Sequence, residues 1–310
     1  MPAATVPGAN RQPRGRTPPE AHNGLLEKEA IPVRIVVTGG SGKAGRWVVR
    51  DLREHGHDVL NVDNRHDGSP HGQCLVADLA DYGQAHEALA DAHAVVHLAA
   101  IPAPDIRTPA ETFRINAVST YNVFAAAEAH RLQRVVWASS ETVLGLPFDT
   151  PPLFAPIDET IELRPEWSYA LSKVVGETMA VQFSRRTGIP FVGLRISNIM
   201  EPDDYAAFPS YWGDARLRKW NLWGYVDCRD VAQAARLALT ADVTGAEVCI
   251  VAAAETVMTR PSADLMAEVF PTVPLTRPVN GRETLLSIDR ARRVLGYEPA
   301  HRWADHVAEG

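Results

Sequence analysis

The sequence is poor in cysteine, has no long hydrophobic run and carries no excess of basic residues. Its three cysteines, Cys74, Cys228 and Cys249, are widely spaced among 310 residues. There is no CxxC pair and no Cys/His spacing typical of zinc, so we expect a reducing compartment such as the cytoplasm, no disulfide framework and no metal site. No stretch approaches the roughly 20 apolar residues of a membrane-spanning helix. The formal net charge of −7 argues against a general nucleic-acid binder.

The first 30 residues differ in composition from the rest of the chain. Residues 1–30 are rich in proline and arginine and show no apolar periodicity. Such a segment cannot bury enough apolar surface to offset the entropy of ordering it. It also lacks the apolar core of a signal peptide. We therefore expect either a disordered tail over residues 1–30 or an over-extended start site.

From Val33 onward, short β-branched runs alternate with segments of helical apolar spacing. This alternation indicates βαβ units, a parallel sheet and a doubly wound α/β fold. The segment 200–226 shows no clear period. We predict strands at 33–38, 58–63, 74–77, 94–98, 134–139, 190–196 and 247–251, and helices at 43–55, 82–90, 111–130, 167–186, 230–239, 262–269 and 288–295.

A glycine-rich turn joins the first predicted strand to the first predicted helix. It reads Thr38-Gly-Gly-Ser-Gly-Lys-Ala-Gly45. Glycines let the backbone turn tightly and approach a pyrophosphate closely, and the helix N-terminus offers free N–H groups to the phosphates. The turn predicts a Rossmann-type dinucleotide site. The residues expected to contact the cofactor there are Gly39, Ser41, Gly42, Lys43, Ala44 and Gly45.

The ends of the next predicted strands extend this cofactor site. Asp63 ends the second strand, where an acid accepts hydrogen bonds from the adenosine ribose and repels a 2′-phosphate, which favours NAD over NADP. Arg65 could soften this preference. Further cofactor contacts are expected from Asp78 and Leu79 after the third strand and from Leu98, Ala99 and Ala100 after the fourth, although strand-end packing would explain the last three equally well.

Tyr169 and Lys173 are four residues apart on one predicted helix, so they share a face. A tyrosine has an ordinary pKa near 10, which must fall by ~2–3 units for it to act as a base near neutrality. A lysine ammonium one turn away is one source of such a shift. Ser140 lies just past the fifth predicted strand, where it could hold a substrate oxygen and stabilise developing charge.

In this order, the motifs resemble those of the extended short-chain dehydrogenases, the NAD-dependent epimerase/dehydratase family. The resemblance covers about residues 33–303 and implies NAD as cofactor, hydride transfer at a carbinol carbon and a catalytic set of Ser140, Tyr169 and Lys173. It also implies that Lys173 holds the nicotinamide ribose, whose ring cation would help to lower the pKa of Tyr169. A homodimer through the helices around 111–130 and 167–186 is expected from the family.

Other positions take their expected roles from the same resemblance. Asn116 is expected to bind helix backbone and a water near the active site, beside the cofactor, with a plain polar helix residue as the alternative. Ile196 is expected to contact the cofactor and Asn198 the substrate. Glu141 follows Ser140, as an acid/base carboxylate does in some dehydratases of the family, and could also bind substrate. The alternative for Glu141 is a solvated or arginine-paired loop carboxylate. Leu144 stands where the family usually has a tyrosine of the substrate wall.

The segment between Asn198 and Asp227 is short, which favours a small, sugar-like substrate. It is rich in aromatic residues and arginines, from which we predict Arg216 as a substrate contact, with an interface or core patch as the alternative. Residues 195–202 are also similar to uronate dehydrogenases, but the position of their substrate-binding arginine falls near Ala207. We therefore predict a Rossmann domain over 31–199 and a small substrate-binding region over 200–310 that is interleaved with the last Rossmann elements.

These observations favour an NAD-dependent oxidoreductase or epimerase that acts on a sugar or sugar-acid-like molecule. One alternative is a nucleotide-sugar 4-epimerase or dehydratase with tightly bound NAD. A second is an NADPH-dependent carbonyl reductase, which Asp63 opposes. A third is a non-catalytic NAD-sensing regulator, which the Tyr169–Lys173 pair opposes.

Overall fold

Apolar side chains on both faces of the central strands build one parallel sheet with a core on each side. The computed structural model describes residues 33–65, 74–103 and 106–308, and the predicted tail over 1–30 lies outside these ranges. Within them the strands are β1 (Arg34–Thr38), β2 (Asp58–Asp63), β3 (Cys74–Val76), β4 (Ala94–His97), β5 (Arg134–Ser140), β6 (Phe191–Ile196), β7 (Ile199–Met200), β8 (Val226–Asp227) and β9 (Ala246–Val251).

Seven of these strands pair in the order β3-β2-β1-β4-β5-β6-β9, and β7 pairs with β8. Every pairing is parallel, so the carboxyl ends of the seven strands lie at one edge of the sheet. This confirms the predicted doubly wound Rossmann fold. The helices that connect the strands are α1 (Gly45–Glu54), α2 (Tyr82–Ala88), α3 (Pro109–Ala129), α4 (Ser168–Thr187) and α5 (Cys228–Thr240), and two more, α6 (Ser262–Val269) and α7 (Asp289–Leu295), follow the last strand.

Successive side chains of a strand point to opposite faces of the sheet, and β1 shows this directly. Val36 belongs to the core beneath α2, α3 and α4, whereas Val37 belongs to the core beneath α1 and α5. Both side chains are fully buried. Among the described residues, no helix is both long and apolar enough to cross a membrane.

The segment without a clear period contains short 3-10 helices instead of α-helices. They span Pro202–Tyr211 and Ala215–Asn221. A proline inside the first of them, Pro209, and the irregular backbone of Arg218 in the second interrupt any regular spacing. The division at residue 199 stays a prediction, since β9 pairs with β6 in the same sheet.

Candidate active site

The glycine-rich turn is pressed against the end of β4. Gly39 has a φ of +70°, and a Cβ added to it would lie 2.6 Å from the backbone nitrogen of Ala99. Helix α1 begins at Gly45 immediately after the turn, without a side-chain cap and without an acidic residue in its first turn. The positive dipole end of α1 therefore has no acidic side chain of its own helix to balance it and favours an anion such as a diphosphate.

Asp63 lies beside this turn, at the end of β2. Its Oδ2 accepts a hydrogen bond from the backbone N–H of Ser41 at 3.1 Å, and its Oδ1 accepts one from Asn64 at 2.8 Å. The structure thus brings the predicted ribose acceptor to the predicted phosphate turn. Lys43, in the same turn, forms an ion pair with Asp204.

The predicted contacts after β3 differ from each other in exposure. Asp78 is exposed, and its carboxylate accepts a hydrogen bond from Ala80 at 2.9 Å. Leu79 is buried, and its carbonyl oxygen accepts one from Asn122 at 2.9 Å. Asp78 is therefore accessible to a ligand at this end of the sheet, whereas the Leu79 side chain belongs to the core.

The segment after β4 is held in place by Asn116. Its Oδ1 accepts a hydrogen bond from the Ile101 N–H at 2.8 Å, and its Nδ2 donates one to the Ile101 carbonyl at 3.1 Å. These bonds go to the loop after β4 and not to helix backbone, so the expected role of Asn116 stays a prediction. Leu98, Ala99 and Ala100, which lie between the end of β4 and Ile101, are half-buried beside the glycine-rich turn.

The end of β5 and the first turn of α4 bring Ser140, Tyr169 and Lys173 together. Lys173 Nζ donates a hydrogen bond to the carbonyl oxygen of Ala138 at 2.8 Å and lies 5.5 Å from the centroid of the Tyr169 ring. Burial lowers the pKa of Lys173 to about 8. Thr142 donates to the Ser140 hydroxyl from its backbone at 3.2 Å and from its own hydroxyl at 3.0 Å.

The electrostatics of Tyr169 differ from the expectation. Burial raises its pKa to about 12, hydrogen bonding with Ser140 lowers it, and the charge of Glu141 raises it. We expected the Lys173 ammonium and the nicotinamide cation together to lower this pKa, and in the structure the lowering comes from the hydrogen bond with Ser140. Tyr169 therefore stays protonated at neutral pH unless a further positive charge comes close.

Glu141 is buried, with 3% of its surface exposed, so it is not a solvated loop carboxylate. Its Oε2 accepts a hydrogen bond from Ser197 at 2.5 Å, and its Oε1 accepts one from Asn221 at 3.2 Å. Desolvation raises its pKa to about 7, while these bonds, the charge of Arg218 and the backbone of Asn198 lower it. Glu141 thus joins the end of β5 to the end of β6 and to the segment before β8.

Most of the chain matches one known protein family. Residues 35–252 match the NAD dependent epimerase/dehydratase family. The chain belongs to this family. Its members include sequences that differ in substrate, and the chain is similar to more than one of them.

The first relative is a uronate dehydrogenase of Pseudomonas syringae pv. tomato, which is 31% identical over 180 residues. That match covers 55% of this chain and 62% of the relative, so it spans less than two thirds of the relative's length. An NAD-dependent glucose-6-phosphate dehydrogenase of Haloferax volcanii is 26% identical over 293 residues, which are 89% of this chain and 96% of that protein.

A solved structure of the family supports the fold. The UDP-glucose 4-epimerase of Thermotoga maritima, solved with UDP-glucose, superimposes with a TM-score of 0.68 and 22% identity. The match covers 88% of this chain and 96% of that structure.

Leu144, which departs from the usual tyrosine of the family, is buried in the core at 2% exposure.

The remaining predicted contacts divide between the site and the surface. Ile196 is the register partner of Ser140 on the neighbouring strand, and Asn198 lies just beyond it. Arg216 is not brought to the site, because its side chain is 66% exposed and lies 3.8 Å from Glu268. Tyr205 and Trp223, from the same aromatic-rich segment, are fully buried in the core.

Arg218, not Arg216, is the arginine next to Glu141, and the sequence analysis missed it. Its side chain is buried, its Nη2 donates to the Gly224 carbonyl at 3.0 Å, and its guanidinium stacks on Tyr211 and Trp220 at 5.2 and 4.7 Å from their ring centroids. Asn221, three residues further along, donates hydrogen bonds from its Nδ2 to the same Gly224 carbonyl at 2.8 Å and to Glu141 at 3.2 Å. These contacts arise from tertiary packing, so no local sequence signal indicates them.

A buried ion pair joins strand β6 to helix α4 and is also bonded to strand β5. Arg195 on β6 donates to both carboxylate oxygens of Glu177 on α4, at 2.9 and 2.8 Å. The hydroxyl of Ser139 donates to the same carboxylate at 2.6 Å. The pair thus ties α4, β5 and β6 together within a few residues of Ser140 and Lys173.

Proposed function

We propose that this chain is an NAD-dependent oxidoreductase of the extended short-chain dehydrogenase type, which transfers hydride at a carbinol carbon of a small sugar-like substrate. The observation that carries the proposal is the convergence of Ser140, Tyr169 and Lys173 at the carboxyl edge of the sheet, the same edge at which α1 begins without a side-chain cap. Ligands of doubly wound folds bind at this edge.

The fold offers a cradle that fits a dinucleotide. The turn over 39–45 and the first turn of α1 would hold its diphosphate, and Asp63 would hold the adenosine ribose. Asp78 and Leu98 to Ala100 border the same edge. NAD, when bound, supplies a hydride acceptor and a positive ring charge.

The chain's own residues would handle the proton and the oxygen. Ser140 holds the substrate oxygen, and Tyr169, ionised when a positive charge lies beside it, takes the hydroxyl proton during oxidation. In the reverse direction the protonated Tyr169 is the acid. Lys173, fixed to the Ala138 carbonyl, lies at the same end of α4 and would hold the nicotinamide ribose.

A second candidate is an epimerase or dehydratase that keeps its NAD bound. The buried carboxylate of Glu141 next to Ser140 favours it, because dehydration needs a further proton-transfer group. Asp63 opposes an NADPH-dependent reductase, and the intact Tyr169–Lys173 pair opposes a purely regulatory role.

We also expect a cytoplasmic homodimer. Three large apolar side chains are exposed on the two helices that would form its interface: Tyr121 on α3 at 50%, and Leu171 and Val181 on α4 at 44% and 50%.

Tyr169→Phe tests the proposal. The variant should lose NADH formation by about 10²–10⁴-fold while it binds NAD like the unmodified protein, because only the proton-transfer group is removed. Absorbance at the NADH band with a panel of sugars and calorimetric titration with NAD measure the two effects. Retained turnover in the variant would exclude Tyr169 as the base. NAD binding without net NADH would favour the second candidate.

A further inference from the structure

We propose that Asn61 is a positioning residue of the cofactor site, which holds the glycine-rich turn in the shape that receives a diphosphate. The inference rests on the proposed function, since it takes the turn to bind a dinucleotide. It assigns a role to a side chain that lies outside the motifs of the sequence. Asn61 belongs to strand β2 and precedes Asp63 by two residues.

Asn61 is a polar residue at a place where the strand favours an apolar one. A strand of a parallel sheet that is covered on both faces is normally apolar, and Val59 and Val62 of β2 are buried in this way. Asn61 is buried too, with 6% of its surface exposed. Its amide oxygen has no hydrogen-bond partner among the described residues, which is unfavourable in a buried site. Packing alone therefore does not account for an asparagine here.

Three consecutive residues of β2 hold the glycine-rich turn. The carbonyl oxygen of Val62 accepts a hydrogen bond from the Gly39 N–H at 2.7 Å. Asn61 Nδ2 donates to the Ser41 hydroxyl at 3.1 Å, and Asp63 Oδ2 accepts from the Ser41 N–H at 3.1 Å. Side chains two residues apart on a strand point to the same face, which is why both reach Ser41. The hydroxyl and the backbone of Ser41 are thus fixed from one strand.

The same amide also determines what fits at Gly40. A Cβ added to Gly40 would lie 2.2 Å from Oδ1 of Asn61 and 3.0 Å from Cγ2 of Val49. A side chain at position 40 would therefore force the turn away from β2. Asn61 thus faces two successive residues of the turn, Gly40 by close packing and Ser41 by a hydrogen bond.

A turn that is held in this way is already formed when an anion arrives. A loop that must be ordered on binding loses affinity, because its conformational freedom is lost at that moment. Ser41 is half-buried at the edge where the strands end, so a ligand can reach the turn there. Local rules of folding are commonly broken at functional sites. We therefore expect Asn61 to lower the stability of the fold while it raises the affinity for a dinucleotide.

Asn61→Val tests this pair of opposite effects. Valine suits a buried strand and carries no unpartnered polar atom, so the urea midpoint of unfolding should stay the same or rise. The affinity for NAD, measured by calorimetric titration, should fall about fivefold or more, because the Ser41 hydroxyl is no longer held. Lower stability with an unchanged affinity would show a merely structural asparagine and would overturn the inference.

The ratio of the affinities for NAD and NADP separates Asn61 from Asp63. The two dinucleotides share the diphosphate, so the Asn61 variant should bind both more weakly by a similar factor and keep their ratio. Asp63→Ala should change the ratio, because Asp63 would act on the ribose. A changed ratio in Asn61→Val would place its effect at the ribose and contradict a role in the phosphate turn.

A double-mutant cycle tests the hydrogen bond between Asn61 and Ser41. It uses Asn61→Ala, a smaller side chain that also serves where valine does not fit. If the bond carries the effect, Ser41→Ala and the double variant should bind NAD about equally weakly, whereas additive losses would overturn the inference. Ser184→Ala is the control, since it removes a buried hydroxyl bonded to the Ile189 carbonyl at 2.6 Å, near the last turn of α4. It should lower stability without changing the affinity for NAD.

These titrations distinguish a failure of the inference from a failure of the proposed function. None of them needs turnover, so a loss of affinity in the Asn61 variants supports the inference even if no sugar yields NADH. Steady NADH formation by the unmodified protein, together with unchanged NAD affinity in the variants, would overturn the inference and leave the proposed function intact. A protein that binds neither NAD nor NADP would overturn both.

Discussion

The ammonium of Lys173 donates a hydrogen bond to the carbonyl oxygen of Ala138 at 2.8 Å, which fastens helix α4 to strand β5 just before Ser140. A backbone carbonyl inside a strand cannot move without the sheet. The position of Lys173 relative to Ser140 is therefore set by the sheet and not by a flexible side chain. Tyr169 lies one turn earlier on the same helix, so the bond between Lys173 and Ala138 fixes its position relative to Ser140 as well.

Replacing Lys173 with methionine should lower the activity and weaken the binding of NAD. The methionine stem fills similar space but cannot donate to Ala138 or carry charge, so we expect kcat/KM to fall by about 10²-fold or more. The KM for NAD should also rise if Lys173 holds the ribose. Steady-state kinetics with varied NAD measure both effects. A variant with normal kinetics would mean that Lys173 serves only to anchor α4.

Asp63→Ala should reduce the preference for NAD. The change removes the carboxylate that would accept the ribose hydroxyls and repel a 2′-phosphate. We expect the ratio of NAD to NADP affinity to fall by about tenfold, a difference of ~1.4 kcal/mol. Titrations with both dinucleotides check this. Asp78→Ala, at an exposed position on the same edge, is the control, and an equal fall there would contradict a specific role of Asp63.

Breaking the buried pair of Glu177 and Arg195 should destabilise the protein strongly. Glu177→Gln leaves the buried Arg195 guanidinium without its counter-charge, which costs about 3–5 kcal/mol. Urea unfolding measures the loss. Replacing both residues with leucine should cost much less than the sum of the single changes, because no charge is then left unpaired. Additive losses would show that the two side chains act independently.

His97 should make the protein sensitive to acid. Burial lowers its pKa to about 3, between hydrogen-bonding contacts with Thr38 at 2.7 Å and Thr120 at 3.2 Å. Its stabilising contribution is therefore complete above the unfolded pKa of about 6.5 and is lost as the pH falls towards the folded value.

We expect this loss to reach about 1.4 kcal/mol per pH unit between about pH 6 and pH 4. Urea unfolding of the unmodified protein and of His97→Gln over this range isolates the contribution, since glutamine does not titrate. Parallel curves for the two proteins would exclude His97 as the source.

The sequence predicts the fold well because the signals that define it are local. Strand β2 and helix α6 have the predicted bounds, since β-branched runs and helical spacing are properties of neighbouring residues. The first helix begins at Gly45 and not at Lys43, because the turn over 39–45 needs those residues to close on itself. The 3-10 helices after β7 escape prediction because their spacing is broken at Pro209 and Arg218.

The candidate site was predictable where a motif has a fixed place in the chain. Ser140, Tyr169 and Lys173 are identified by their position after β5 and meet in the structure as expected. Arg218 and Asn221 were not predictable, because their relation to Glu141 arises from tertiary packing across some 80 residues of sequence. Burial likewise decides the pKa of Tyr169, and burial cannot be read from a motif.

The close contact of Gly39 with Ala99 has a consequence for recombination between relatives. A side chain at position 39 would strike the backbone of the strand-end segment, so the two chain segments are complementary surfaces. A glycine-rich turn transplanted from another member of the family would pack against a backbone segment that differs from its own, unless residues 98–100 were transplanted with it. Natural recombination and protein engineering would then both have to exchange residues 39–45 and 98–100 together, although the two segments are far apart in the sequence.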